Sequence, residues 1–125
     1  MKFFGSLSTC AEGVFDWGEL PILPDPVGFA APFAGVSDGA LIVAGGSNFS
    51  SKTGWSGGTK LWSDRIFLLD RPDGTWRVAG QLPMPMAYGV AVTIPEGVLC
   101  VGGSNQQEAK ADVWLLRRKG DVVEA

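Results

Sequence analysis

Apolar residues in this chain come in short runs, each cut off by Gly, Pro, Asn or Asp, and none long enough for more than a strand. Two of the runs are nearly the same: "LIVAGGSN" at residues 41–48 and "VLCVGGSN" at residues 98–105. In each, a β-branched apolar run ends in a Gly pair, which reads as a strand closed by a turn or by close approach of another backbone. The surroundings repeat as well. Residues 28–36 lead through Ser37-Asp38-Gly39 into the first run, and residues 87–94 lead through Pro95-Glu96-Gly97 into the second. Each pair predicts a tight hairpin. Downstream, "SDRIFLLD" (63–70) and "ADVWLLRR" (111–118) supply an Asp-bearing third strand with an aromatic, Phe67 or Trp114. A fourth strand is predicted in "TWRVAGQLPMP" (75–85), whose counterpart "DWGELPILP" (16–24) stands at the other end of the chain. No helix of consequence is expected.

Four short strands repeated with a period of about 50 residues describe a kelch-type β-propeller blade. The fold class expected is therefore all-β: a kelch-type propeller fragment of about two antiparallel four-stranded blades, from a six-bladed ring. In that reading residues 1–13 are a leader or signal remnant, and residues 14–26 an orphan fourth strand and linker. Residues 28–85 form a complete blade, and residues 86–125 an incomplete one of three strands and the stub "DVVEA". Trp17 and Trp76, each ahead of a Leu-Pro, are expected to pack the blades. Beyond the repeat itself, "ELPILPDPVGFAAPFAGVSDGALIVAGGSNF" followed by "GGTKLWSDRIFLLD" resembles the opening of the sialic acid mutarotase (N-acetylneuraminate epimerase) family, including its cyclically permuted branch. The likeness runs through loops as well as strands, and blade architecture does not dictate loops.

Length sets a problem for that reading. A propeller closes with about four to eight blades, and 125 residues hold roughly two and a half. The expectation is a partial copy of a longer chain. The alternative is assembly of several copies through open blade edges, with the strand at 14–20 completing a neighbour's last blade.

Composition narrows the partners. A net charge of −3 with scattered basic residues offers no face for nucleic acid, and no apolar run approaches the ~20 residues of a membrane helix. The one basic cluster, Arg117-Arg118-Lys119, reads as a solvated guard against pairing on an edge strand. With two Cys and no His, neither a zinc set of Cys and His nor a His-based nucleophile relay can be built. Cys100, inside an apolar strand, is expected to be a buried free thiol. The start "MKFFGSLSTCA" begins like an export signal, but polar residues interrupt its apolar stretch. A periplasmic or exported location follows from the resemblance alone.

Candidate chemistry lies in the loops, because propeller strands mostly pack. Loops leaving the second and fourth strands share one face. On it, residues 47–62 make a connection far longer than a hairpin turn of about 2–5 residues, flanked by residues 23–26, 84–87 and 104–110. For a sugar acid, Asn48 and Asn105 offer hydrogen bonds to hydroxyl and amide groups. Lys60 or Arg65 offers a cation for a carboxylate, and Trp55, Trp62 or Tyr88 an aromatic face. Asn48, Lys60, Arg65, Tyr88 and Asn105 are the substrate-binding candidates. Each has a structural alternative: an Asn after a Gly pair suits a turn, and Arg65 beside Asp64 suits a solvated ion pair.

The resemblance implies interconversion of the α and β anomers of N-acetylneuraminate through an open-chain ketone, chemistry that needs an acid and a base but no cofactor or metal. It also implies a Glu base within a Gly-Glu-x-Lys-Pro-Gly-like stretch. None of Glu12, Glu19, Glu96, Glu108 or Glu124 has that setting. No catalytic residue is therefore assigned, and the partial chain is not expected to turn over alone. A kelch module that binds a protein partner, and an inactive structural fragment, are the alternatives.

Overall fold

The computed structural model describes residues 18–50 and 56–125. Its strands are β1 Phe33–Ser37, β2 Ala40–Ala44, β3 Ser47–Phe49, β4 Lys60–Trp62, β5 Arg65–Leu69, β6 Arg77–Gln81, β7 Val90–Ile94, β8 Gly97–Val101, β9 Val113–Lys119 and β10 Val122–Glu124. They make two four-stranded antiparallel sheets, β1-β2-β5-β6 and β7-β8-β9-β10, and a separate ribbon, β3-β4. No α-helix occurs among the described residues. The all-β architecture of consecutive antiparallel sheets is as expected from the repeats.

Side-chain alternation sets which way each strand faces. In β2, Ala40, Ile42 and Ala44 are fully buried while Leu41 and Val43 are half-buried. Beside it, β5 buries Ile66 through Leu69 on both faces. Ile66 and Leu68 join the core between the sheets, together with Met86, Val98, Cys100 and Leu116. Phe67 points the other way, its ring 5.8 Å from that of Phe29. The Gly pair that ends β2 meets the chain entering the second sheet: Gly46 N donates to Met86 O at 2.7 Å, and Gly45 has φ +66° with no room for a Cβ beside that same carbonyl.

The seam between the sheets joins apolar packing to specific polar contacts. Phe33, 1% exposed, meets Trp114 edge-on at 6.1 Å, a geometry aromatic pairs favour. Val36 N donates to Thr93 Oγ1 at 2.9 Å, and Arg118 N donates to Ser37 Oγ at 3.1 Å. A charged clasp adds Asp70, which pairs with both Arg77 and Arg118, while Arg77 also reaches Asp121 at 3.1 Å. The Arg77 hydrogen bond, helped by the charge of Arg118, holds the Asp70 carboxyl below the usual carboxylate range.

Two expectations need correcting. The stub "DVVEA" forms β10, which pairs with β9 at Arg117, Arg118 and Lys119. The second sheet therefore has a fourth strand, shorter than its counterpart β6. The basic triplet is accordingly not a guard against pairing: its backbone is paired, and Arg118 is part of the clasp. Its guanidinium finds Asp70 only because folding brings residues far apart in sequence to the same seam.

The leader, Cys10, Trp17 and Trp55 lie outside the described residues, as do residues 14–17 of the N-terminal strand expected at 14–20. Residues 18–20 carry no strand pairing. Trp76 is half-buried and outside the core cluster between the sheets; its indole N–H donates to Pro21 O at 2.8 Å, fastening the N-terminal segment to the first sheet.

Candidate functional site

The two ends of the long connection at 47–62 pair as the β3-β4 ribbon, with Phe49 opposite Lys60 and Ser47 opposite Trp62. This ribbon brings Lys60 over the seam, toward the segment that leads into β7. Equivalent backbone bridges occur in the two repeats, Ala30 to Ser47 and Ala87 to Ser104. Each puts the next residue in the left-handed region, Ala31 at φ 51° and Tyr88 at φ 67°. For a residue with a Cβ that conformation costs about 1–2 kcal/mol. Tyr88 N donates to Ala31 O at 3.0 Å, which ties the two positions together.

So placed, Tyr88 stands 47% exposed in a recess of about 490 Å³, within the size range of ligand pockets. Gly28, Phe29, Ser47, Asn48 and Lys60 share its walls. The Tyr88 and Ser47 hydroxyls are 2.8 Å apart. The Lys60 ammonium lies 4.4 Å from the Tyr88 ring centroid and 5.0 Å from that of Trp62, a cation held over two aromatic faces. Contact with Lys60, and next the Ser47 hydrogen bond, hold the Tyr88 phenol below the ordinary tyrosine range. Asn48 donates its amide to Gly28 O at 3.1 Å and keeps the recess wall in register.

Three of the five candidates, Asn48, Lys60 and Tyr88, thus line one recess. Arg65 opens into an adjoining cleft that shares Asn48, and its guanidinium faces Asp25 at 4.0 Å rather than its chain neighbour Asp64. Asn105 lies in a third depression with Trp62 and Met84, and its side-chain oxygen accepts from the amides of Gln107 and Glu108 at 2.8 and 2.9 Å. Among the described residues of that loop group, Asp25 and Pro26, Ser47 to Ser50, Lys60 to Trp62, Met84 and Pro85, and Asn105 to Gln107 line three depressions that share Asn48, Leu61 or Trp62.

Sequence reasoning passed over Ser47 and Asp25. Ser47 carried a signal, since the repeated "GGSN" holds a Ser as well as an Asn at both places. Asp25 lies between two prolines, its Oδ1 accepting from Val27 N and Gly28 N at 3.0 and 2.9 Å, which shapes the loop at the rim of the recess. Among the described residues no group of three or more His, Cys, Asp or Glu could hold a metal ion, and no helix is long and apolar enough to cross a membrane. A lysine cation between aromatic faces, with hydroxyl and amide groups beside it, is suited to an anion that carries hydroxyl groups.

Comparison with known proteins agrees in sequence and in fold. The profile of NANM, N-acetylneuraminate epimerase, matches residues 6–125. N-acetylneuraminate epimerase of Brucella suis is 34% identical over 128 residues, covering 90% of this chain and 32% of its own length. N-acetylneuraminate epimerase 1 of Escherichia coli is 35% identical over 117 residues, covering 86% and 31%. The chain thus spans about a third of the length of these relatives. The solved structure of YjhT superposes with a TM-score of 0.79 at 30% identity, covering 87% of this chain and 34% of that one. The two sheets are blades of a β-propeller, and the chain belongs to the N-acetylneuraminate epimerase family.

Proposed function

We propose that the recess between the β3-β4 ribbon and Tyr88 binds N-acetylneuraminate, and that it forms part of the site at which the α and β anomers interconvert. The observation that carries this is the joint placement of Lys60, Tyr88 and Asn48 in one recess of a chain of this family. Lys60 faces the sugar carboxylate as a point charge, Tyr88 presents its ring as an apolar face, and Asn48 stands at the rim for the polar substituents. Arg65 and Asn105, in neighbouring depressions, serve in this reading groups that extend beyond the recess.

Titration with N-acetylneuraminate followed by amide chemical shifts tests the reading. Shifts are expected at residues 47–49, 60–62 and 88, and Lys60→Met should weaken binding at least tenfold. Absence of binding, or shifts confined to the turns at 37–39 and 95–97, refutes it.

We further propose that copies of the chain associate through their blade edges. β10 covers only Arg117–Lys119 of β9, while the rest of that strand, Val113 to Leu116, has no partner on its outer side among the described residues. An uncovered strand edge recruits another chain. Light scattering should show oligomers that vanish on deletion of residues 1–20, and a stable monomer would end this proposal.

A further inference from the structure

We propose that Tyr88 is a catalytic residue, the acid that protonates the sugar ring oxygen as the ring opens, with Lys60 and Ser47 as its positioning residues. This rests on the sugar-acid reading above. The same left-handed position carries alanine in the first blade, Ala31, and the only tyrosine of the sequence in the second. Blade architecture accounts for the backbone there. It does not account for a phenol whose ring lies under a lysine ammonium and whose hydroxyl meets a serine.

The contacts are those a phenol needs to give up a proton and take it back. Its oxygen is 2.8 Å from Ser47 Oγ, and the Lys60 ammonium sits 4.4 Å from its ring centroid. Both stabilise the phenolate, and the phenol is correspondingly more acidic than an ordinary tyrosine. The half-exposed ring keeps this group open to a ligand in the recess.

Substrate chemistry brings the reacting atoms to the same place. In N-acetylneuraminate the carboxylate is bonded to the anomeric carbon, which also bears the ring oxygen and the anomeric hydroxyl. A carboxylate held at Lys60 therefore sets both oxygens beside Tyr88. On opening, the bond between the anomeric carbon and the ring oxygen breaks. Its electron pair stays on the ring oxygen, which takes the Tyr88 proton. The anomeric hydroxyl gives its own proton to water and becomes the ketone. Closure on the opposite face reverses each transfer, so Tyr88 regains its proton, the sugar keeps its atoms, and nothing is oxidised or reduced.

The competing role for Tyr88 is a stacking platform, and Tyr88→Phe separates the two because it keeps the ring and loses the hydroxyl. The 125-residue chain is assayed for N-acetylneuraminate binding, and for anomer interconversion by NMR magnetisation transfer; with water as the base, turnover above the uncatalysed rate is expected although no Glu of the sequence has the setting that the resemblance implies, which departs from the expectation of an inactive partial chain. Tyr88→Phe should hold the dissociation constant within about threefold while turnover falls on the order of 10²-fold, the usual contribution of a general acid. Ultraviolet titration reads the phenol directly, because no other tyrosine absorbs. Its midpoint should lie below the ordinary value of about 10 and rise in Lys60→Met. Binding with unchanged turnover in Tyr88→Phe overturns the catalytic role and leaves the binding reading standing. Binding without turnover in the parent chain does the same, as does an ordinary phenol midpoint. Loss of binding in the parent chain overturns the binding reading itself.

Discussion

Three glycine-to-alanine substitutions separate backbone conformation from contact as reasons for the repeated Gly pair. Gly39 has φ +73° and nothing within 4 Å of a Cβ, so Gly39→Ala tests conformation alone. It should cost about 1 kcal/mol. Gly35 needs no positive φ, but its Cβ would stand 2.7 Å from Val98 Cγ1 and 2.9 Å from Thr93 Oγ1 across the seam. Overpacking there should cost about 1–3 kcal/mol, reduced by the entropy that alanine removes from the unfolded chain. Gly45→Ala carries both penalties. Its φ is +66°, and its Cβ would come under 3.0 Å from the Met86 carbonyl oxygen, a backbone atom that cannot rotate away. That same oxygen accepts from Gly46 N, so relief of the clash endangers a hydrogen bond worth about 1 kcal/mol. Together these sum to about 3–5 kcal/mol. Equilibrium unfolding in urea, followed by tryptophan fluorescence, should rank Gly45→Ala as clearly the most destabilised of the three. Should Gly45→Ala cost no more than Gly39→Ala, the close approach at Met86 is not what demands glycine.

Phe33→Ala removes the ring that fills the seam against Trp114 and should cost about 3–5 kcal/mol in the same assay; a loss under 1 kcal/mol would show that the sheets do not depend on it. Asp70 is held below the usual carboxylate range, so its pairing with Arg77 and Arg118 contributes stability above the unfolded value of about 3.9, lost as pH falls through the lower folded value. Asp70→Asn should therefore be less stable than the parent at pH 7, with the gap closing in acid; a gap that stays constant down to pH 2 would contradict this. Burial pushes the Cys100 thiol up to about 11. In a Cys10→Ser background it should react with a disulfide reagent at pH 8 on the order of 10²-fold more slowly folded than unfolded, and equal rates would place it at the surface.

What the linear pattern determined was local and periodic. Alternating apolar runs, turn residues at hairpin spacing and the repeat were enough to read an all-β chain of consecutive blades, because a strand's pairing face follows from a period of two. The buried Cys100 was legible for the same reason. Site candidates were half legible. The length of the 47–62 connection singled out a loop whose two ends line a recess, and Lys60, Tyr88 and Asn48 share its walls. Ser47, however, was hidden in a repeated turn, and Asn105, equivalent to Asn48 by repeat, accepts amides of its own turn instead. Only the tertiary structure decided that Arg118 would clasp Asp70, that the last residues would pair as β10, and that Lys60 would lie over Tyr88. The β10 pairing is a local hairpin within the second sheet, whereas the Arg118–Asp70 and Lys60–Tyr88 contacts join groups far apart in the chain. The partners in those two long-range contacts are set by how the blades twist and stack, and no periodicity within either repeat records that.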